Sequence, residues 1–227
     1  MESFVRKEQK YLLTQKEYEE FMETFRNDLV EDPYSPYEIR SIYFDNRRND
    51  LMNRNFKKPA FRQKIRLRSY GPVQDSDSVF LEMKKKLKGT TFKKRITIPY
   101  QEARKYLKTN KEKKEEVSNT GKELVRIFEK EDLEPSFYVR YHRKAYVWKD
   151  NPDFRLTFDT NLISQEDTND LNIDQGSPLL KDNVVLMELK APYALPLSVS
   201  RFLSQHGLFP ANFSKAATSF KRKEGIA

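Results

Sequence analysis

The sequence predicts an α+β fold, a closed eight-stranded antiparallel β-barrel with flanking helices, and three observations carry that prediction. Eight runs rich in β-branched, aromatic and aliphatic residues are bounded by Gly, Pro, Asn or Asp. The early runs are joined by short turns, and an even-numbered antiparallel sheet of this size commonly closes on itself. Six of the runs alternate an apolar side with a charged one. A closed barrel has only an inside and an outside, and the predicted helices carry apolar stripes that need an apolar outer wall. The charged side is therefore expected to point inward.

Taken in order, the strand Phe4–Leu13 sets Arg6, Glu8 and Lys10 on one face. Thr14 followed by Glu17 is a capping box, which starts a helix with Tyr18, Phe21, Met22 and Phe25 on one stripe. That helix is expected to reach about Leu29, before Pro33 and Pro36 break the chain. Further strands are predicted at Ile39–Asp45, Phe61–Tyr70, Val79–Leu87, Thr91–Ile98, Phe137–Trp148, Phe154–Ile163 and Val184–Lys190. Tyr100–Lys108 and Lys122–Lys130 read as helices, with the polar TNKEKKEEVSNTG between them as a solvated loop. Asp167–Asn183 also reads as a loop. A helix follows from about Leu197 to His206, stopped by Gly207, and another begins near Phe213.

The length of 227 residues suits one domain, 1–227, and 13% aromatic content supplies large buried area per residue, which argues against disorder. Cysteine is absent, so disulfides and thiolate metal sites are excluded. The amino terminus has no apolar signal segment and no run of about 18 apolar residues occurs. The expected location is the cytoplasm, with peripheral attachment at the inner face of a membrane left open. The net charge of +9 is concentrated: Lys57–Arg95 holds 13 basic residues against Asp75, Asp77 and Glu82. Such a segment points to a polyanionic partner.

Alternation places Arg62, Lys64, Arg66 and Arg68 together, opposite Phe61, Ile65 and Leu67. Glu82, Lys84 and Lys86 share a face on the next strand, and Lys93 and Arg95 on the one after it. Arg155 shares a face with Asp159, and Glu188 with Lys190. Enclosed cations repel strongly at low effective dielectric, so they call for anions, water or counter-ions. Phosphate meets that need, since guanidinium forks bind its oxygens in pairs and lysines add point charges. The six glycines are isolated, which excludes the phosphate-binding loops of Walker A and dinucleotide sites. Side chains must do the cradling.

In chain order, R6-x-E8-x-K10-Y11, R66-L67-R68-S69-Y70-G71, E82-x-K84, K93-x-R95, Y141-H142-R143-K144-A145-Y146, R155-x-T157-x-D159, E188-x-K190 and N212-F213-S214-K215 resemble the VTC domain. That domain is the polyphosphate polymerase branch of the triphosphate tunnel metalloenzymes, within the CYTH-like superfamily. The likeness is to its stand-alone bacterial form. It implies a tunnel that transfers the γ-phosphate of ATP to a growing polyphosphate chain with a divalent cation, Mn2+ or Mg2+. By the same resemblance Lys10, Arg66, Arg68, Lys84, Lys93, Arg143 and Arg155 are the phosphate ligands and Glu188 the metal carboxylate. Tyr141, Ser214 and Lys215 are further substrate contacts near the tunnel mouth, with less weight on Arg95, Lys190, Glu8 and Glu82. The tunnel hydrolases and cyclases open with Glu-x-Glu-x-Lys, where this chain has Arg6 first. A separate membrane partner is compatible with this reading, and specific nucleic-acid recognition is not expected.

Three alternatives stand beside the polymerase: a tunnel-fold triphosphatase or nucleotide cyclase, a nucleic-acid-binding module, and a polyphosphate sensor without turnover. His142 and His206, far apart in sequence, read as surface or packing residues, and Trp148 as core or rim. Lys85 is expected on a solvated face, unlike Lys84 and Lys86. Tyr11, Tyr43 and Tyr70 could stack on an adenine, but packing is the simpler role.

Overall fold

The computed structural model describes residues 7–57, 60–88, 90–108, 119–166 and 168–226. Arg6, the start of the first predicted strand and most of the TNKEKKEEVSNTG loop lie outside them. The strands are β1 (Lys7–Thr14), β2 (Leu29–Glu31), β3 (Tyr37–Asp45), β4 (Phe61–Tyr70), β5 (Ser78–Leu87), β6 (Thr90–Pro99), β7 (Glu134–Trp148), β8 (Asn151–Glu166), β9 (Ser177–Pro178) and β10 (Val184–Ala191). The helices are α1 (Gln15–Thr24), α2 (Asp50–Lys57), α3 (Tyr100–Leu107), α4 (Asn119–Glu131), α5 (Leu197–Gln205) and α6 (Lys215–Lys223).

The class is α+β, as expected, but two features of the predicted barrel are corrected. Among the described residues the sheet has ten strands, not eight, in the order β1-β10-β8-β7-β3-β4-β5-β6, with β2 on β7 and β9 on β8. The extra strands are three and two residues long, too short to display a period of two. Among the described residues the sheet is also open, since β1 pairs with β10 and β6 with β5, and these two stand at the ends of the path. An even strand count and short turns allow closure without imposing it, because closure depends on pairing between edge strands far apart in sequence.

Two compact units interleave along the chain. One comprises residues through Glu38, Tyr141–Leu162 and Leu180–Phe213; the other comprises Ile39–Arg140, Ile163–Leu179 and Ser214 onward. In the first, Phe21, Phe25, Trp148, Phe154, Phe158 and Phe202 form an aromatic core, Phe21 lying 5.2 Å from Phe202 and 5.7 Å from Phe158 between ring centroids. Helix α1 is started there by the predicted capping box: Thr14 Oγ1 accepts from Glu17 N and Glu17 Oε2 accepts from Thr14 N. It stops at Thr24 rather than Leu29, because Leu29–Glu31 is drawn into pairing with Tyr146–Trp148.

In the second unit Ile42, Ile65, Leu67, Leu81, Met83 and Ile96 turn one face of the sheet toward Tyr106, Leu124 and Phe128 of α3 and α4. Helix α2 is not among the helices expected from the sequence. It is held by Asp45, buried at 1% exposure, whose carboxylate accepts from Leu51 N and Met52 N at 2.9 Å each. Buried Arg40 ties down the loop between β8 and β9 by donating to Leu171 O and to Asp174 Oδ1, at 3.2 and 2.6 Å.

Candidate functional site

The cationic face predicted on three neighbouring strands forms in the second unit. Antiparallel register sets Arg66 beside Glu82 and Glu82 beside Arg95, and in the next row Lys64 beside Lys84 and Lys84 beside Lys93. Directly opposed residues share a face. Glu82 is the shared counter-ion: Arg66 Nε donates to its Oε2 at 2.7 Å, Arg95 Nε and Nη2 both donate to its Oε1, the former at 2.8 Å, and Arg68 Nε lies 3.7 Å from Oε2. Burial pushes the Glu82 carboxyl up, but the charges of Arg66 and Arg68 and the hydrogen bonds from Arg66 and Arg95 outweigh it and hold it below the usual range.

Strand β3 adds residues to this face that the sequence did not single out as ligands. Ser41 stands opposite Arg68, and Tyr43 opposite Arg66. Arg66 Nη1 donates to Tyr43 Oη at 3.2 Å, and the Tyr43 ring stacks on Phe137 at 5.0 Å. Burial raises the Tyr43 phenol, yet Arg66, Arg68 and Lys64 together pull it down to about 8. Arg68 is only 8% exposed, and its Nε and the neighbouring Ser41 Oγ are buried without a hydrogen-bond partner among the described residues. Buried polar atoms are nearly always satisfied, so two orphans side by side on a cationic face mark a place for a bound anion or water. Exposure rises toward the sheet edge: Lys64 and Arg66 are half-buried, whereas Lys84, Lys93 and Arg95 are exposed.

Lys85, expected to be solvated, is half-buried, while Lys84 is the exposed member of that run. Lys85 lies on the face that α3 and α4 cover further along. Ser214 caps α6, its Oγ accepting from Ala217 N, and receives Lys64 Nζ at 3.5 Å. Lys215 beside it is buried.

A second charged cluster forms in the first unit on β1, β10, β8 and β7. Lys10 stands opposite Glu188, and Glu188 opposite Thr157; Glu8, Lys190 and Arg155 form the adjacent row. Glu188 is buried, with Lys10 Nζ at 3.6 Å, Arg143 Nη2 at 3.7 Å and Lys190 Nζ at 3.8 Å. Arg143 forks onto fully buried Asp159, Nε to Oδ1 at 2.6 Å and Nη2 to Oδ2 at 2.7 Å. Burial opposes the charge on Arg143, but Tyr141, Asp159 and Glu188 more than compensate and raise its pKa far above the ordinary value. Tyr141 is buried, its ring 5.2 Å from the Arg143 guanidinium carbon. Lys10 is positioned by donating to Phe213 O at 3.1 Å, and Arg155 is exposed. Thr157 Oγ1, across from Glu188, is buried with no hydrogen-bond partner among the described residues.

Among the described residues no group of three or more His, Asp or Glu side chains could hold a metal ion. Glu188, with the unpartnered Thr157 hydroxyl beside it, offers a single carboxylate among cations. That donor set suits a hard divalent cation completed by phosphate oxygens and water, as for Mg2+ at nucleotide sites, and not a resident metal caged by protein. The two histidines take packing and surface roles: His206 stacks on Phe202 at 3.9 Å, and exposed His142 lies 3.2 Å from Glu38. Tyr11 and Trp148 are core, and exposed Tyr70 packs edge-on against Phe80.

The fold is an antiparallel sheet flanked by helices, with charged residues aligned across its strands. The fold is similar to that of a candidate adenylate cyclase from Vibrio parahaemolyticus, at TM-score 0.52 and 11% identity over 96% of this chain and 98% of that one. It is also similar to a candidate adenylate cyclase from Bacillus halodurans, at TM-score 0.57 and 12% identity over 91% and 92%. The VTC domain family model matches residues 5–222, and the chain belongs to that family. No curated protein matches it. Among the described residues no helix is long and apolar enough to cross a membrane.

Proposed function

We propose that this protein is a polyphosphate polymerase that transfers the γ-phosphate of ATP to the end of an inorganic polyphosphate chain. The observation that carries this reading is the row of cations on β4, β5 and β6 around a buried Arg68 whose Nε has no hydrogen-bond partner among the described residues. Arg66, Arg68, Lys84 and Lys93 are assigned to the nucleotide phosphates, with Arg95 at the exposed edge. Lys10, Arg143, Arg155 and Lys190 are assigned to the transferring phosphate and the acceptor end, with Tyr141 supporting Arg143, and Ser214 and Lys215 as further substrate contacts. Glu188 would hold Mn2+ or Mg2+, which would neutralise phosphate charge when bound.

Phosphoryl transfer needs positioning and charge neutralisation more than covalent help from the protein. An oxygen of the terminal acceptor phosphate attacks the γ-phosphorus, the bond from that phosphorus to the β–γ bridging oxygen breaks, and ADP leaves. The acceptor is already ionised, so no general base is required. The carboxylates fit such a reaction: half-buried Glu82 is bound by Arg66 and Arg95, buried Asp159 by Arg143, and buried Glu188 lies among Lys10, Arg143 and Lys190. A hydrolase, by contrast, must orient and usually activate water.

A cyclase is the competing reading, favoured by the likeness to two candidate adenylate cyclases, and a triphosphatase would use the same cations. Incubation with γ-labelled ATP and a metal series separates them. Labelled polymer supports the polymerase, while orthophosphate or cyclic nucleotide as the sole product overturns it. Arg66→Glu is expected to abolish polymer formation with the fold intact by circular dichroism, and retained synthesis would remove the β4–β6 cluster from the mechanism.

A further inference from the structure

We propose that the end of the sheet where β4 begins, β5 ends and β6 begins is a docking surface for an anionic lipid membrane. Phe61 stands directly opposite Leu87, and Phe92 opposite Lys85, two residues before Leu87 on the same strand. Register therefore puts Phe61, Leu87 and Phe92 on one face, the face opposite the cationic rows. They are 37%, 45% and 52% exposed, whereas Ile65, Met83 and Ile96 further along that face are buried beneath α3 and α4. The helical cover stops short of this end, and three large apolar side chains are left in solvent.

Their surroundings carry one sign of charge. Residues 84–95 contain seven Lys or Arg and no Asp or Glu, and exposed Lys57 closes α2 nearby in the chain. Lysines alone would be ordinary protection of an edge strand against pairing, and β6 is such an edge. That role does not account for three large apolar groups clustered at the same end. A protein partner would need about 1,000 Å² of well-packed interface, more than three side chains offer. A lipid surface needs less: a few apolar groups sunk among the headgroups, with basic residues drawn to anionic lipid. Single-stranded nucleic acid would use the cations and stack on the two phenylalanines, but Leu87 has no stacking face. The three apolar side chains lie on the face of β4–β6 opposite the phosphate-handling cluster, and the proposal stands or falls independently of the reaction.

The test is co-sedimentation of the full chain with phosphatidylcholine vesicles, with and without about a third phosphatidylserine. Wild type is expected to sediment with the anionic vesicles and only weakly with neutral ones. Combining Phe61→Ser, Leu87→Ser and Phe92→Ser should lower partitioning by about tenfold or more, with the thermal shift caused by tripolyphosphate unchanged. Lys88→Glu with Lys94→Glu should lower it as well. Wild type that stays in the supernatant with anionic vesicles at low salt would overturn the proposal. So would undiminished vesicle binding by the triple serine variant, or a loss of oligonucleotide binding in that variant with vesicle binding intact.

Discussion

The cluster on β4–β6 and the cluster around Glu188 use the same residue types under opposite conditions. In the first, Arg66, Arg68 and Arg95 gather around Glu82 with Lys64, Lys84 and Lys93 in the next row, and the cations become more exposed toward the β6 edge. In the second, Lys10, Arg143, Arg155 and Lys190 meet Glu8, Asp159 and Glu188, and the deepest cation, Arg143, is fully forked. The difference follows from desolvation. A cation near water tolerates excess charge because water and salt screen it, whereas a buried guanidinium must be matched by carboxylate within the fold. The region that still wants an anion is thus the one nearer solvent. Arg68 is its exception, since it is buried yet its Nε, 3.7 Å from Glu82, has no hydrogen-bond partner among the described residues.

That contrast is broken most directly by removing one carboxylate from each side. Asp159→Asn strands the buried Arg143 charge and is expected to lower stability by about 3–5 kcal/mol, read from the urea midpoint. Glu82→Gln should lose only about 1–2 kcal/mol, because its partners reach solvent. Tripolyphosphate should restore that loss and leave the Asp159 variant unrepaired. Equal losses in the two variants, or equal rescue, would erase the distinction between the clusters.

Anion binding sharpens it further. At about 100 times its dissociation constant, tripolyphosphate is expected to stabilise wild type by about 2.7 kcal/mol. The shift should vanish in Arg66→Glu. In Glu82→Gln affinity should rise a few-fold, because a competing anion has gone; a fall would mean that Glu82 chiefly positions the arginines.

Two smaller effects depend on pH. Glu82 has a lowered folded-state pKa, so its stabilisation is complete above the ordinary value of 4.5 and is lost as pH falls through the lowered one. Melting temperature below that pH should fall less steeply in Glu82→Gln than in wild type. The Tyr43 phenol, brought to about 8 from 10.0, adds stability as pH rises from 8 toward 10 and loses it as pH falls through 8. Tyrosinate absorbance should therefore show one group ionising near 8 in wild type and none there in Tyr43→Phe. Tripolyphosphate should move that midpoint upward by neutralising Arg66 and Arg68.

Much of this was legible because it is periodic. The alternation at Phe61–Tyr70, Val79–Leu87 and Thr91–Ile98 correctly puts Lys64, Lys84 and Lys93 on one face, and Arg66, Glu82 and Arg95 likewise. The capping box at Thr14 is a local pattern and was equally readable. Ser41 was not, because nothing in Tyr37–Asp45 alternates in charge, and its importance comes from facing Arg68 on another strand. Nor was the length of α1, where pairing of Leu29–Glu31 with β7 overrides a continuing helical stripe. Helix α2 was not read either, and it depends on the carboxylate of Asp45 reaching two amides beyond a turn.

Strand by strand, the chain's own order of residues settles which side is charged, since neighbouring side chains in extended backbone point to opposite faces whatever lies beside them. It leaves open how many strands assemble, whether their ends meet, and which acid neutralises which guanidinium. Those depend on pairing and register between segments distant in sequence, and there burial, which sets the penalty for each unmatched charge, selects the arrangement that survives.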